Sequence, residues 1–149
     1  MPNLCVYFRT IRVIALVLLA VLILPIFAQD DNQSVSEVIT QYNIGLMYAG
    51  GFGVNQDYEE AVRWYQMAAE KGYAPAQIEL GVMHAEGWGV SQNYISAHMW
   101  FDLAAVRLTD EKQRKAVELR RRISEKMTSE QIVKAKKMFH EWQPKSLLD

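Results

Sequence analysis

An all-α solenoid of stacked antiparallel helix hairpins is the fold this sequence predicts, and three observations predict it. The first is a repeat. Gln41, Gly45, Met47, Ala49, Gly51, Gly53, Val54, Gln56, Tyr58, Ala61, Trp64, Ala68 and Ala69 each find the same residue 36 positions later, 13 of the 30 positions in 40–69. A fixed period of roughly 20–50 residues marks a stacked repeat. The second is helical spacing of the apolar residues inside each copy. Ala61, Trp64, Tyr65, Ala68 and Ala69 step by 3, 1, 3 and 1, as do Ala97, Trp100, Phe101, Ala104 and Ala105, which draws one stripe on a helix. The third is punctuation: Gly51-Phe52-Gly53-Val54 and Gly87-Trp88-Gly89-Val90 divide each copy in two, since glycine takes the left-handed conformation that ends a helix.

Each element follows in order. A first helix is expected over 35–50, with Ser34 and Glu37 spaced as a capping box. Its inner stripe is expected at Thr40, Ile44, Gly45 and Tyr48. That phase leaves Gln41, Tyr42, Asn43, Met47 and Ala49 outside. Asp57 then caps a second helix, with Glu60 three residues on, and Gly72 closes it. In the second copy Pro75 suits the first turn of a helix, where its missing N–H is not needed. Ala76, Leu80, Gly81 and His84 form the inner stripe, and Asn93 caps the helix that follows. Gly45 and Gly81 are expected where two helices approach closely, against the paired alanines. A mid-helix glycine costs about 1 kcal/mol relative to alanine. Trp64 and Trp100 are expected in the core.

After Leu108 the period fades. Thr109 stands at the start of a helix whose stripe is Ala116, Leu119, Ile123 and Met127. Thr128 and Gln131 have capping-box spacing, and Ile132, Ala135, Phe139 and Trp142 form the last stripe before Pro144. Residues 109–142 therefore read as a diverged hairpin that closes the stack, as solenoid ends require a polar cap.

The string L-G-x-x-Y-x-x-G-x-G-V-x-x-D-x-x-x-A-x-x-W-Y-x-x-A-A-x-x-G resembles the Sel-1-like repeat family, relatives of tetratricopeptide repeats. It stands here as Ile44 to Gly72 and again as Leu80 to Ala105, with Ile44, His84 and Asn93 as departures. The likeness covers about 40–106 and implies repeats over about 36–72 and 73–107. The tail, an amphipathic helix followed by M-T-x-E-Q-I-x-x-A, looks like that of small exported bacterial members.

Residues 1–28 read as a secretory signal. Arg9 and Arg12 precede the uncharged run Val13–Phe27, and Ala28 is a small residue before a polar stretch. The expected protein is exported, periplasmic or secreted, and cleaved after Ala28. The alternative is a retained N-terminal anchor, although the run is short of the ~20 apolar residues a span needs. The remaining 29–149 suits one domain. The single cysteine, Cys5, lies in the leader, so no thiol chemistry or disulfide is expected beyond it.

Charge divides the chain. Residues 29–106 hold 2 basic and 10 acidic side chains, net −8, and 107–149 hold 12 basic and 7 acidic, net +5. Head-to-tail self-association is one implication, and an anionic membrane surface for the basic end is another. The export signal argues against nucleic acid. Charge runs interrupted by glutamate are ordinarily solvated faces.

No enzyme signature is present. His84 replaces a tyrosine of the repeat, and His98 and His140 are expected at the surface. No HExxH, nucleophile elbow or phosphate loop occurs. Cysteine-rich relatives of the family are linked to β-lactam binding, but their cysteine pairs are absent here, so hydrolase or β-lactam chemistry is the remote reading. No cofactor or metal is expected. The reading is a non-catalytic scaffold that holds another protein or peptide segment on the face lined by the first helix of each pair. Tyr42, Met47, Phe52, Ile78, Glu79, Met83, His84 and Trp88 are the candidate contacts.

Overall fold

The computed structural model describes residues 35–142, and all the regular structure among them is helical. Helix α1 covers 35–50, α2 Tyr58–Glu70, α3 Ala74–Glu86, α4 Tyr94–Arg107, α5 Asp110–Ser124 and α6 Ser129–Glu141. The leader, the cleavage point after Ala28, Ser34 and Pro144 lie outside the described residues.

Local chemistry explains the boundaries. Asp57 Oδ1 accepts from the Glu59 and Glu60 N–H groups at 2.9 and 3.1 Å, starting α2. Glu60 does not complete a capping box; its carboxylate takes the Arg63 guanidinium instead, at 2.6 Å. Asn93 Oδ1 accepts from Ser96 N–H, and Thr128 with Gln131 forms a full capping box. Thr109 holds the N-cap position of α5 without a side-chain bond. Pro75 sits in the first turn of α3. The two Gly-x-Gly turns are copies of each other. Asp57 N–H donates to Tyr48 O and Asn93 N–H to His84 O, while Gln56 Nε2 reaches Ala49 O and Gln92 Nε2 reaches Ala85 O.

One core runs through both repeats. Ala61, Val62, Tyr65, Ala68 and Ala69 of α2 cluster with Ala76, Leu80 and Met83 of α3 and Met99, Trp100 and Leu103 of α4. The close approach expected at the glycines is real, but its partner differs. A Cβ at Gly45 would lie 2.6 Å from the Tyr65 ring, and one at Gly81 2.6 Å from the Phe101 ring. The glycines seat aromatic rings, not the alanine pairs. Trp100 is buried, whereas Trp64 is only half-buried.

The phase of α1 also differs from expectation. Val38, Gln41 and Gly45 are buried, and Thr40 is exposed. The buried position 41 belongs to a series that continues past Leu108. Gln77 Nε2 donates to Ala69 O, and Gln113 Nε2, 36 residues on, donates to Ala105 O, both at 3.1 Å. Each glutamine adds a side-chain donor to a carbonyl in the last turn of the preceding helix. The period thus persists into α5, where sequence identity has faded. α5 and α6 both find their main packing on α4. Trp142 meets Trp100 edge to face at 6.3 Å and lies under the Arg107 guanidinium.

Candidate functional site

The first helices of successive pairs, α3 and α5, both rest on α4, and a groove follows their seam. Ile78, Glu79, Val82, Ala85 and Glu86 recur at helical spacing and share one face of α3. Opposite them stand Lys112, Lys115, Leu119, Arg122, Ile123 and Lys126. Two depressions open along this seam. One, of about 160 Å³, is lined by Tyr42, Pro75, Ile78, Glu79, Leu108, Lys112 and Lys115. The other, of about 330 Å³, is lined by Val82, Ala85, Glu86, Phe101, Leu119, Arg122, Ile123, Glu125 and Lys126. From Pro75 to Glu86 the helix rise carries the groove roughly 16 Å.

Its two walls carry unlike charge over an apolar floor. Glu79 and Glu86 belong to α3; Lys112, Lys115 and Arg122 belong to α5 and Lys126 to the turn after it. Among the described residues, none of these six takes part in an ion pair within 4 Å, whereas Glu37–Lys71, Glu60–Arg63, Glu118–Arg121 and Lys137–Glu141 do. Lys126 is held by cation–π contact 5.5 Å from the Tyr94 ring. Burial raises the Glu79 carboxyl above its ordinary range, and the Lys115 charge offsets part of that rise. Burial also raises the Tyr42 hydroxyl, with Glu79 and Tyr73 adding to it. Tyr42 packs edge to face on Tyr73 at 5.3 Å. A half-buried carboxylate without an ionic partner is poised to take a cation or a hydrogen-bond donor.

The candidate contacts separate. Tyr42, Ile78 and Glu79 come together in the first depression. Ile78 is buried, and only its edge reaches the floor. Met83 is corrected: it is 4% exposed and part of the core, because α3 turns that side toward α2. Its neighbours Gln77 and Ala85 are buried too. His84 is half-buried away from the two depressions; burial pushes its imidazole down, and its Nδ1 is buried without a hydrogen bond. Met47 and Phe52 lie exposed at the N-terminal edge, at 40% and 69%. Trp88 is engaged, stacked on Tyr58 with centroids 5.5 Å apart and planes at 18°.

Sequence reasoning missed the basic wall as a groove wall and misplaced one histidine. His98 is 3% exposed, not at the surface. Its Nδ1 lies 3.0 Å from Asp102 Oδ2. Asp102 Oδ1 takes Arg120 Nη1 at 2.5 Å. Burial would raise the Asp102 carboxyl, but His98 and Arg120 outweigh it and hold the group below its ordinary value. This pair ties α5 to α4. The signal for it was the change from Val62 and Gln66 in the first repeat to His98 and Asp102 in the second.

Among the described residues there is no group of three or more His, Cys, Asp and Glu able to hold a metal ion, and no helix is long and apolar enough to cross a membrane.

Paired helices repeated at 36 residues, with a groove between successive first helices, define an α/α repeat protein. The Sel1 repeat model matches residues 38–73 and 74–105, so the chain carries two adjacent Sel1 repeats. No curated protein matches it. Among solved structures it resembles that of c5321, a protective antigen present in uropathogenic Escherichia coli strains displaying an SLR fold, at 31% identity and a TM-score of 0.66. That likeness covers 71% of this chain and 22% of c5321. It also resembles a Sel1 repeat protein from Oxalobacter formigenes, at 27% identity and a TM-score of 0.51, over 74% of this chain and 52% of that one. The chain therefore spans about a fifth of the first and half of the second. Sel1 repeats are generally protein–protein interaction modules, and their fold is typically a non-catalytic scaffold.

Proposed function

We propose that this protein is an exported, non-catalytic scaffold of the cell envelope whose α3–α5 groove receives a segment of a partner protein. The observation that carries the reading is the pairing of an acidic wall, Glu79 and Glu86, with a basic wall of Lys112, Lys115, Arg122 and Lys126 over apolar residues. A segment with apolar anchors, basic residues along one side and acidic residues along the other fits this surface and enters in one orientation. Export rests on the order of charge, apolar run and small residue in 1–28.

An anionic membrane surface for the basic end is the weaker alternative. Arg120 and Arg121 are engaged by Asp102, Glu118 and Glu125, and Lys137 by Glu141. Head-to-tail self-association is weaker too, because α5 and α6 already cover α4. Affinity capture from envelope extracts tests the main reading. Wild type should retain a partner that Glu79→Lys and Lys115→Glu both lose, with melting unchanged. Retention by both variants would remove the groove, and salt-sensitive binding to anionic vesicles that survives both would favour the membrane.

A further inference from the structure

The 36-residue repeat lets residues of the first pair be compared with their copies in the second. Ala76, Leu80 and Met83 are buried in one cluster with Ala61, Val62, Ala68 and Ala69 of α2. Their counterparts on α1 are Thr40, exposed, Ile44, half-buried, and Met47, 40% exposed. The turns show the same contrast. Trp88 stacks on Tyr58, and Gly89 approaches so closely that a Cβ there would lie 2.3 Å from Tyr58 O. Among the described residues, a Cβ at Gly53, the equivalent position, would meet only Met47 Cε, at 4.0 Å. Among the described residues Phe52 stacks on no ring; it folds over Gly50, where a Cβ would lie 2.2 Å from its ring.

Among the described residues the α1 edge is therefore a repeat interface with no pair packed before it, and the molecule itself displays what fits. We propose that Ile44, Met47 and Phe52 dock a helical hairpin of the same repeat type, carried by a different protein. Its second helix presents an aromatic residue at its start, to lie against Phe52, and small residues at the spacing of Ala61, Ala68 and Ala69, to lie against Ile44 and Met47. A second copy of this chain does not present such a helix. Its last described helix, α6, begins at Ser129 rather than at an aromatic residue and carries Ile132, Phe139 and His140 where small residues are needed, and its other two second helices are already covered. Its α2 already faces α3, with Tyr58 under Trp88. Its α4 already faces α5, with Ala104, Ala105 and Ala116 packed together and Lys126 over Tyr94.

The test places a photo-crosslinking residue at position 52 of the full chain in its native cell and maps the joined peptides by mass spectrometry. The expected product joins position 52 to a repeat hairpin of another protein, near an aromatic residue that begins its second helix. Met47→Lys, at an exposed site, should cut that product about tenfold without changing melting, and Glu79→Lys should leave it intact. Products joined to this chain's own peptides, to a segment without the hairpin pattern, or unaffected by Met47→Lys would overturn the inference, as would no product at all.

Discussion

Gly81 lies against the flat of Phe101, so close that a Cβ on it would stand 2.6 Å from Cε1 and 2.8 Å from Cδ1. The Phe101 ring is fully buried and has nowhere to retreat. Overpacking costs about 1–3 kcal/mol, and alanine's better helix propensity returns about 1 kcal/mol. Gly81→Ala is thus expected to lose stability, by up to about 2 kcal/mol in urea denaturation, where the same change in an exposed helix would gain it. Gly45→Ala should behave alike against Tyr65.

Gly53 and Gly89 separate a turn's own needs from those of stacking. Both have positive φ, 77° and 68°, so alanine costs each about 1–2 kcal/mol. Only Gly89 also abuts backbone of the preceding pair. Gly89→Ala should therefore destabilise clearly more than Gly53→Ala, as thermal melts would show. Equal losses would mean that the turn does not pack on α2 as described.

Much of this was legible in the sequence, for reasons the residues make plain. Asp57, Asn93 and Thr128 cap helices because their side chains reach backbone N–H groups only a few residues on, and local chemistry is readable locally. Helical phase was less legible. α1 carries apolar residues nearly all round, and its buried polar position, Gln41, looked like a surface residue. The glutamines at 41, 77 and 113 do carry the period into α5, but a single residue type at that spacing is a faint signal. The groove was half visible: Tyr42 and Glu79 stood out, but Lys115 and Arg122 read as part of a solvated cap. Nothing in one strand of text places α5 beside α3. Met83 failed as a contact because its exposure depends on which neighbour α3 meets.

Asp102 should show an acid-side stability dependence. Its carboxyl is held below the ordinary 3.8. The unfolded state then binds the proton first, so the contribution is complete above the unfolded value and is lost as pH falls through the folded one. Asp102→Asn leaves His98 and Arg120 without their anion, at a cost of about 1–3 kcal/mol at neutral pH. The difference from wild type should shrink toward the acid end, which denaturation at a series of pH values would reveal.

Glu79 should behave in the opposite sense. Its carboxyl is raised by burial, so its contribution to stability is fullest below the unfolded value and falls as pH rises through the folded one. Glu79→Gln is expected to leave stability at pH 7 unchanged or higher while weakening capture of the partner. A stabilising change that costs binding is the mark of a residue kept for function.

The central claim is that the α3–α5 groove is where another protein lies. Its most direct test compares photo-crosslinkers at Val82, beside the second depression, and at Arg63, exposed on α2. In the native compartment Val82 should join one partner segment, Glu79→Lys should abolish that product, and Arg63 should give none. Equal labelling from both positions, or a Val82 product indifferent to Glu79→Lys, would contradict the account.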